Sequence, residues 1–221
     1  MPKVTEEYII NKKKMITDAA YELCLEKTVS TVTMQDIINR TGLSQGGIYR
    51  FYRDLDEIFG DMLTQMRTKL TIIEQVDEIF NQADELPVGE VTYRIFDILA
   101  DNMEQELLGI QKIDFEMSVL AMNAPERVDK ILAKAKSISH KEYLVRRTSE
   151  FYKQKLDSGA LHARVNEMEL LTYISSVYTG IQTSCIVHNC YNRGPFATAY
   201  QPRVQFKVLA KTVNYLLGVD E

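Results

Sequence analysis

A chain of 221 residues with a net charge of −5 can bury a substantial core, and its acidic balance excludes a general nucleic-acid coat. The first sixty residues hold 8 Lys/Arg against 9 Asp/Glu, so any DNA affinity must come from the placement of single cations, with Lys12, Lys13, Lys14, Arg50 and Arg53 as candidates. Cys24, Cys185 and Cys190 form an odd set without framework spacing, and no signal-peptide core opens the chain, so the expected location is cytoplasmic.

Residues 5–27 read as a first helix, with Ile16, Ala19, Ala20 and Leu23 on one face and Lys12 to Lys14 on its early, solvated turns. After the connection TVSTV comes the stretch that organises the chain, VTMQDIINRTGLSQGGIYRFY, residues 32–52. Thr33 is an N-cap, Asp36 completes a capping box, and Val32 with Ile37 has the spacing of a hydrophobic staple. Gly42 stops this helix, and Ser44 caps a second, short one with Leu43 and Ile48 as its staple. Two helices joined by so short a turn make a helix-turn-helix.

The second helix is odd as a purely structural element. Gly46 and Gly47 lie adjacent in its first turn, each costing roughly 1 kcal/mol relative to Ala in a helix interior. Packing justifies one glycine; two suggest that something large approaches the backbone, as a DNA strand would. The free amides of this turn suit a phosphate, Gln45 and Arg50 suit base edges, and the hydroxyls of Tyr49 and Tyr52 suit phosphates.

Asp54 with Glu57 caps a fourth helix, whose apolar positions Ile58, Met62, Met66, Leu70 and Ile73 carry it to about Phe80. This length makes it a lever between a first domain, 1–53, and a second, 54–221. The break NQADELPVGE follows, then helices from Tyr93 to about Leu107, from Ile110 to Met122, and from Pro125 to about Leu156, the last stopped by Gly159. Asn166 and Glu169 form another cap pair. From Leu170 to Asn192 there is no Asp, Glu, Lys or Arg, yet the segment is too polar to span a membrane. It reads as a helix buried on most sides, with Ser176, Gly180 and Ser184 as a small-residue stripe for close approach of another helix. After the loop NRGPF, Pro202 opens a last helix with Val204, Val208, Leu209, Val213, Leu216 and Leu217 on one side and Gly218 as its stop. No strand-like alternation recurs, so the fold class is all-α.

Cys185, His188 and Cys190 lack a fourth ligand and do not share one helix face, so no metal is expected. Glu-x-x-His pairs, phosphate-binding glycine loops, nucleophile elbows and CxxC pairs are all missing, which argues against an enzyme and against a cofactor. The aromatic and Met residues after position 90 read mostly as core at helical spacing.

The series KKKMITDAAYELC, TVTMQDIINRTGLSQGGIYRFY and DLDEIF resembles the N-terminal domain of TetR-family repressors, with Thr33, Ile37, Gly42, Leu43, Ser44, Gly46, Ile48, Tyr49 and Tyr52 on the family pattern. The resemblance covers roughly the first quarter of the chain. It implies an all-α protein whose N-terminal three-helix domain binds double-stranded DNA through Thr33, Ser44, Gln45, Gly46, Gly47, Tyr49, Arg50, Tyr52 and Arg53. It further implies a larger helical domain binding an apolar or aromatic small-molecule inducer, for which Phe96, Met103, Phe115, His140, Tyr143, Tyr173 and Tyr178 are the candidates. The last two long helices would pair with their copies in a homodimer through Ser176, Gly180, Ser184, Val208 and Leu216. The expected function is thus a ligand-responsive repressor on a palindromic operator. One departure stands out: Leu55, flanked by Asp54 and Asp56, occupies the place of the family's phosphate-contacting Lys. It supports an alternative, a ligand- or protein-binding module of this fold that has lost DNA binding.

Overall fold

The structure, a computed structural model, describes residues 5–69, 72–136, 139–191 and 201–219. Every regular element among them is helical: α1 Glu6–Glu26, α2 Met34–Thr41, α3 Gln45–Tyr49, α4 Leu55–Lys69, α5 Ile72–Asn81, α6 Val88–Gln105, α7 Lys112–Asn123, α8 Pro125–Lys134, α9 His140–Asp157, α10 Glu167–Ile186 and α11 Pro202–Leu216. None of the described helices is long and apolar enough to cross a membrane.

The helices sort into two compact units. The first holds α1 to α4 with α7 and α8; the second holds α5, α6 and α9 to α11. The sequence placed a boundary after residue 53, whereas here α4 stays with the first unit. Its side chains Ile58, Phe59, Met62, Leu63 and Met66 are all buried. Gly60 lets α8 cross closely, since an added Cβ there would stand 2.6 Å from Lys134 Cβ and 3.1 Å from the Ile131 carbonyl oxygen.

A buried ion pair also ties α7 to α1. Lys112 Nζ donates to the Cys24 carbonyl at 2.6 Å and lies 3.1 Å from Glu116, whose other oxygen accepts the Val29 amide at 2.5 Å. Lys112 thereby satisfies carbonyls left open at the α1 C-terminus. Burial, reinforced by Glu116, pushes the Cys24 thiol up to about 12.

The second unit is built around rings. Phe80 and Phe151 lie 5.5 Å apart between centroids, while Phe206 lies 6.5 Å from Phe96 and 5.9 Å from Tyr178. The hydroxyls of Thr92 and Tyr152 meet at 2.9 Å within this core.

Several helix limits differ from the sequence reading. The long helix from Pro125 to Leu156 is two, because Ala135 is extended and Ser139 starts α9 afresh, its Oγ accepting the Glu142 amide at 3.1 Å. The expected lever appears as α4 and α5; Leu70 lies outside the described residues, as do Asn192 and the loop NRGPF. α6 begins at Val88, directly after Pro87. Non-helical Gly109 delays the next helix to Lys112. α11 has two faces rather than one: Leu209, Val213 and Leu217 are buried, but Val204 and Val208 are exposed.

Candidate nucleic-acid interface

The helix-turn-helix forms as its caps dictate. Thr33 Oγ1 accepts the Asp36 amide at 3.2 Å, and Asp36 Oδ2 accepts the Thr33 amide at 2.8 Å and its hydroxyl at 2.6 Å. Lys27 lies 2.5 Å from the same carboxylate. With Lys27 as the main cause and Thr33 next, the Asp36 carboxyl falls to about 2. Gly42 turns the chain at φ 67°, where a Cβ would be strained. Ser44 Oγ then accepts the Gly47 amide at 3.1 Å and opens α3. Ile37 and Ile48 are fully buried, which fixes the rotation of both helices.

That rotation points Gln45, Gly46, Tyr49 and Arg50 outward, with Tyr49 46% exposed. The two glycines differ. A Cβ on Gly47 would stand 3.2 Å from Ser44 Oγ, so the cap itself explains this residue. A Cβ on Gly46 would meet nothing within 4 Å, so nothing described in the chain requires glycine there.

Charge placement follows the same division. Lys13 lies 3.3 Å from Asp61, Lys14 pairs with Asp18, and Arg40 lies 3.1 Å from Glu22 and 2.5 Å from Glu26. Lys12 lies 5.8 Å over the Tyr8 ring. Arg50 and Arg53 are exposed and make no ion pair among the described residues. The cations left open to a polyanion therefore include the two that flank the C-terminal end of α3.

Tyr52 departs from expectation. It is 2% exposed, its hydroxyl donates to Asp61 Oδ2 at 3.0 Å, and Lys13 sits 4.8 Å over its ring. Burial, then Asp61, raises its pKa. Its hydroxyl is spent inside the unit, so Tyr52 is a strut between α3 and α4 rather than a phosphate donor. Asp61 was missed in the sequence because nothing marks a carboxylate nine residues away as its partner.

The candidate ligand residues are brought together only in part. Phe96 and Tyr178 share the Phe206 ring, and Met103 is buried in the same core. Tyr143 donates its hydroxyl to Asp77, and burial followed by that bond raises its pKa. His140 opens α9, and Tyr173 is exposed on α10. Phe115 lies on α7 in the first unit, whereas the other candidates belong to the second; periodicity had no means of assigning it.

The candidate interface residues lie on α10 and α11. Ser176 and Gly180 are exposed, Ser184 and Leu216 are half-buried, and Val208 is 58% exposed. Within one chain α10 buries only Leu170, Ile181, Cys185 and Ile186. The expectation of a helix buried on most sides is therefore not met by this chain alone. Thr172, Tyr173, Ser176, Thr179 and Gly180 form an exposed face without charge. No group of three His, Cys, Asp or Glu residues poised to hold a metal occurs among the described residues.

A capped helix-turn-helix with an outward polar second helix is the arrangement found in helix-turn-helix DNA-binding domains. Residues 16–62 match the family described as bacterial regulatory proteins, tetR family. Over 126 residues the chain is 24% identical to the HTH-type transcriptional regulator YfiR of Bacillus subtilis, a match spanning 57% of this chain and 59% of that relative. The fold is similar to the crystal structure of a TetR-family transcriptional regulator from Mesorhizobium loti, with a TM-score of 0.66 and 13% identity over 96% of this chain and 98% of that one. It is also similar to Salmonella enterica GusR, with a TM-score of 0.59 and 13% identity over 97% and 98% of the two chains. The ketosteroid transcriptional regulator KstR2 of Mycobacterium tuberculosis follows, with a TM-score of 0.52 and 16% identity over 93% and 95%. The family match thus covers the helix-turn-helix region, residues 16–62, and the fold of the whole chain is similar to that of these solved structures.

Proposed function

We propose that the protein is a cytoplasmic, ligand-responsive transcriptional repressor that binds a near-palindromic operator as a homodimer. The observation that carries this reading is Gly46, a helical glycine facing open space beside the exposed Arg50 and Arg53. In the bound complex α3 enters the major groove, Gln45 and Arg50 meet base edges, and the backbone at Gly46 approaches a strand that a side chain would hold off. Thr33, Ser44, Gly47, Tyr49 and Arg53 are placed for phosphate contacts. A five-residue helix reads few base pairs, so a second copy is needed about 34–36 Å away, one turn along the duplex. The uncharged face of α10, with Val208 and Leu216 of α11, is the surface for that pairing.

The inducer in this reading is apolar or aromatic and is received by the second unit near Phe96, Met103, Tyr173 and Tyr178, with His140 and Tyr143 as polar contacts. To release DNA it must bind the released conformation more tightly than the DNA-bound one.

Footprinting of the purified protein on the DNA upstream of its own gene, across a salt series, tests the repressor reading. Two-fold symmetric protection that weakens with salt is expected. Gly46→Ala should retain the fold, gain up to about 1 kcal/mol of stability, and lose protection. Protection unchanged in that variant, or no protection by the wild type at low salt, would overturn the reading.

A further inference from the structure

The chain that leaves α3 turns acidic at once, with Asp54, Asp56 and Glu57 following Arg53. On a surface that meets a polyanion, carboxylates so close to the contacting arginines oppose binding. They are also fixed in place. Asp54 Oδ1 accepts the Glu57 amide at 2.8 Å, and Glu57 Oε2 accepts the Arg53 amide at 2.8 Å. Both carboxylates are thus held at the start of α4 by the cap that begins the helix.

Cations from another part of the sequence answer each of them. Lys134 Nζ, 80 residues along the chain, lies 3.1 and 3.4 Å from the two Asp54 oxygens, and it lies 3.8 Å from Glu57 Oε1. Arg127 Nε, 71 residues along, lies 2.9 Å from Asp56 Oδ1. Burial works against the Asp54 carboxylate, but the Glu57 amide and Lys134 together hold its carboxyl below the ordinary value.

The placement of α8 does not depend on these ion pairs. Ile131 is fully buried, Gly60 admits the close crossing, and the Lys136 amide donates to Thr64 Oγ1 at 3.0 Å. Packing brings Lys134 and Arg127 to α4, so their charges can be changed without moving the helix.

We propose that Lys134 and Arg127 are positioning residues for DNA binding: they neutralise Asp54, Asp56 and Glu57, so that Arg50 and Arg53 meet phosphates without a competing negative patch. The proposal rests on the DNA-binding reading and adds two residues outside the helix-turn-helix to it. It also accounts for how Leu55 between two acids is compatible with binding.

The test is fluorescence anisotropy with the 221-residue protein and a labelled duplex from upstream of its gene, between about 50 and 300 mM salt, a range over which the screening length falls from about 14 to about 6 Å. Lys134→Gln should weaken binding about threefold per recognition unit, the effect of one opposed charge several ångströms away in water, and so roughly tenfold for a dimer at low salt. The deficit should shrink as salt rises. Lys134→Arg should bind like the wild type, and Asp54→Asn combined with Lys134→Gln should regain most of the loss, because Asn also caps a helix. A merely structural role for Lys134 would show neither the salt dependence nor the rescue. If Lys134→Gln binds like the wild type at every salt, or the double variant stays as weak as Lys134→Gln, the proposal is wrong while DNA binding stands. If the wild type binds no duplex at low salt, the DNA-binding reading itself fails and this proposal falls with it.

Discussion

The two units differ in what they bury between helices that are distant in sequence. In the first, charge does much of the tying: Lys112 reaches the end of α1, Lys13 reaches Asp61, and Arg127 and Lys134 reach the start of α4. In the second, ion pairs such as Arg203 with Asp97 and Lys155 with Asp84 lie at the surface, and the contacts buried between helices are rings and a neutral hydroxyl pair, Thr92 with Tyr152. Their surfaces differ in the same sense. Several carboxylates of the first unit are matched by cations, with Arg50 and Arg53 left open beside α3, whereas α10, beyond the glutamates of its first turn, exposes a face without charge. A unit that must meet a polyanion has to manage every charge on its surface. In the proposed dimer, a face that meets a second copy of itself does better without any, because like charges would meet across the two-fold axis.

The strongest way to break this contrast is to put a charge on the neutral face. Gly180→Glu adds a side chain whose Cβ would meet nothing within 4 Å among the described residues. Each chain should fold normally, yet each copy would bring one uncompensated charge into the pairing surface, at about 3–5 kcal/mol where it is buried. Sedimentation should show monomers; a persistent dimer would place self-association elsewhere.

Inside the first unit the matching test removes a buried charge. Lys112→Met removes the cation from Glu116, which keeps the Val29 amide, and from the Cys24 carbonyl, and should cost about 3–5 kcal/mol in urea unfolding. A loss under about 1 kcal/mol would show that this ion pair is not what ties α7 to α1.

The smallest effect is expected from the second unit's neutral pair. In Tyr152→Phe the Thr92 hydroxyl keeps its bond to the Val88 carbonyl at 3.0 Å, so nothing is left wholly unpaired. The loss should be about 0.5–1.5 kcal/mol, the ordinary net value of one neutral hydrogen bond. The ratio of this loss to that of Lys112→Met, read from the same denaturant curves, measures how differently the two units are held.

Much of the helix-turn-helix was legible because its instructions are local. Thr33 with Asp36, Gly42, and Ser44 before the glycine pair each act within one turn of their own position, and the structure shows the corresponding cap or stop at every one. The same kind of signal was present and overlooked at Ser139 and Glu142, where a cap divides what periodicity alone reads as one helix. Tyr52 shows the opposite case. Its place in the motif pointed to an exposed hydroxyl, but an aromatic ring at that position goes wherever the apolar face of α4 covers it, and Asp61 then accepts its hydrogen bond. Phe115 was misplaced for a related reason: an aromatic residue at helical spacing declares that it packs, not against what.

By itself the sequence determined the all-α class, the caps of the helix-turn-helix, the glycine pair and the uncharged stretch, because each depends on neighbours within a few residues. Tertiary structure alone decided that α4, α7 and α8 complete the first unit, that Lys112 closes the end of α1, and that Lys134 and Arg127 answer the acids after α3. These contacts join residues about seventy to ninety positions apart. Such pairs are brought together by the packing of whole apolar faces, and no local pattern of charge reveals which distant partner that packing will supply.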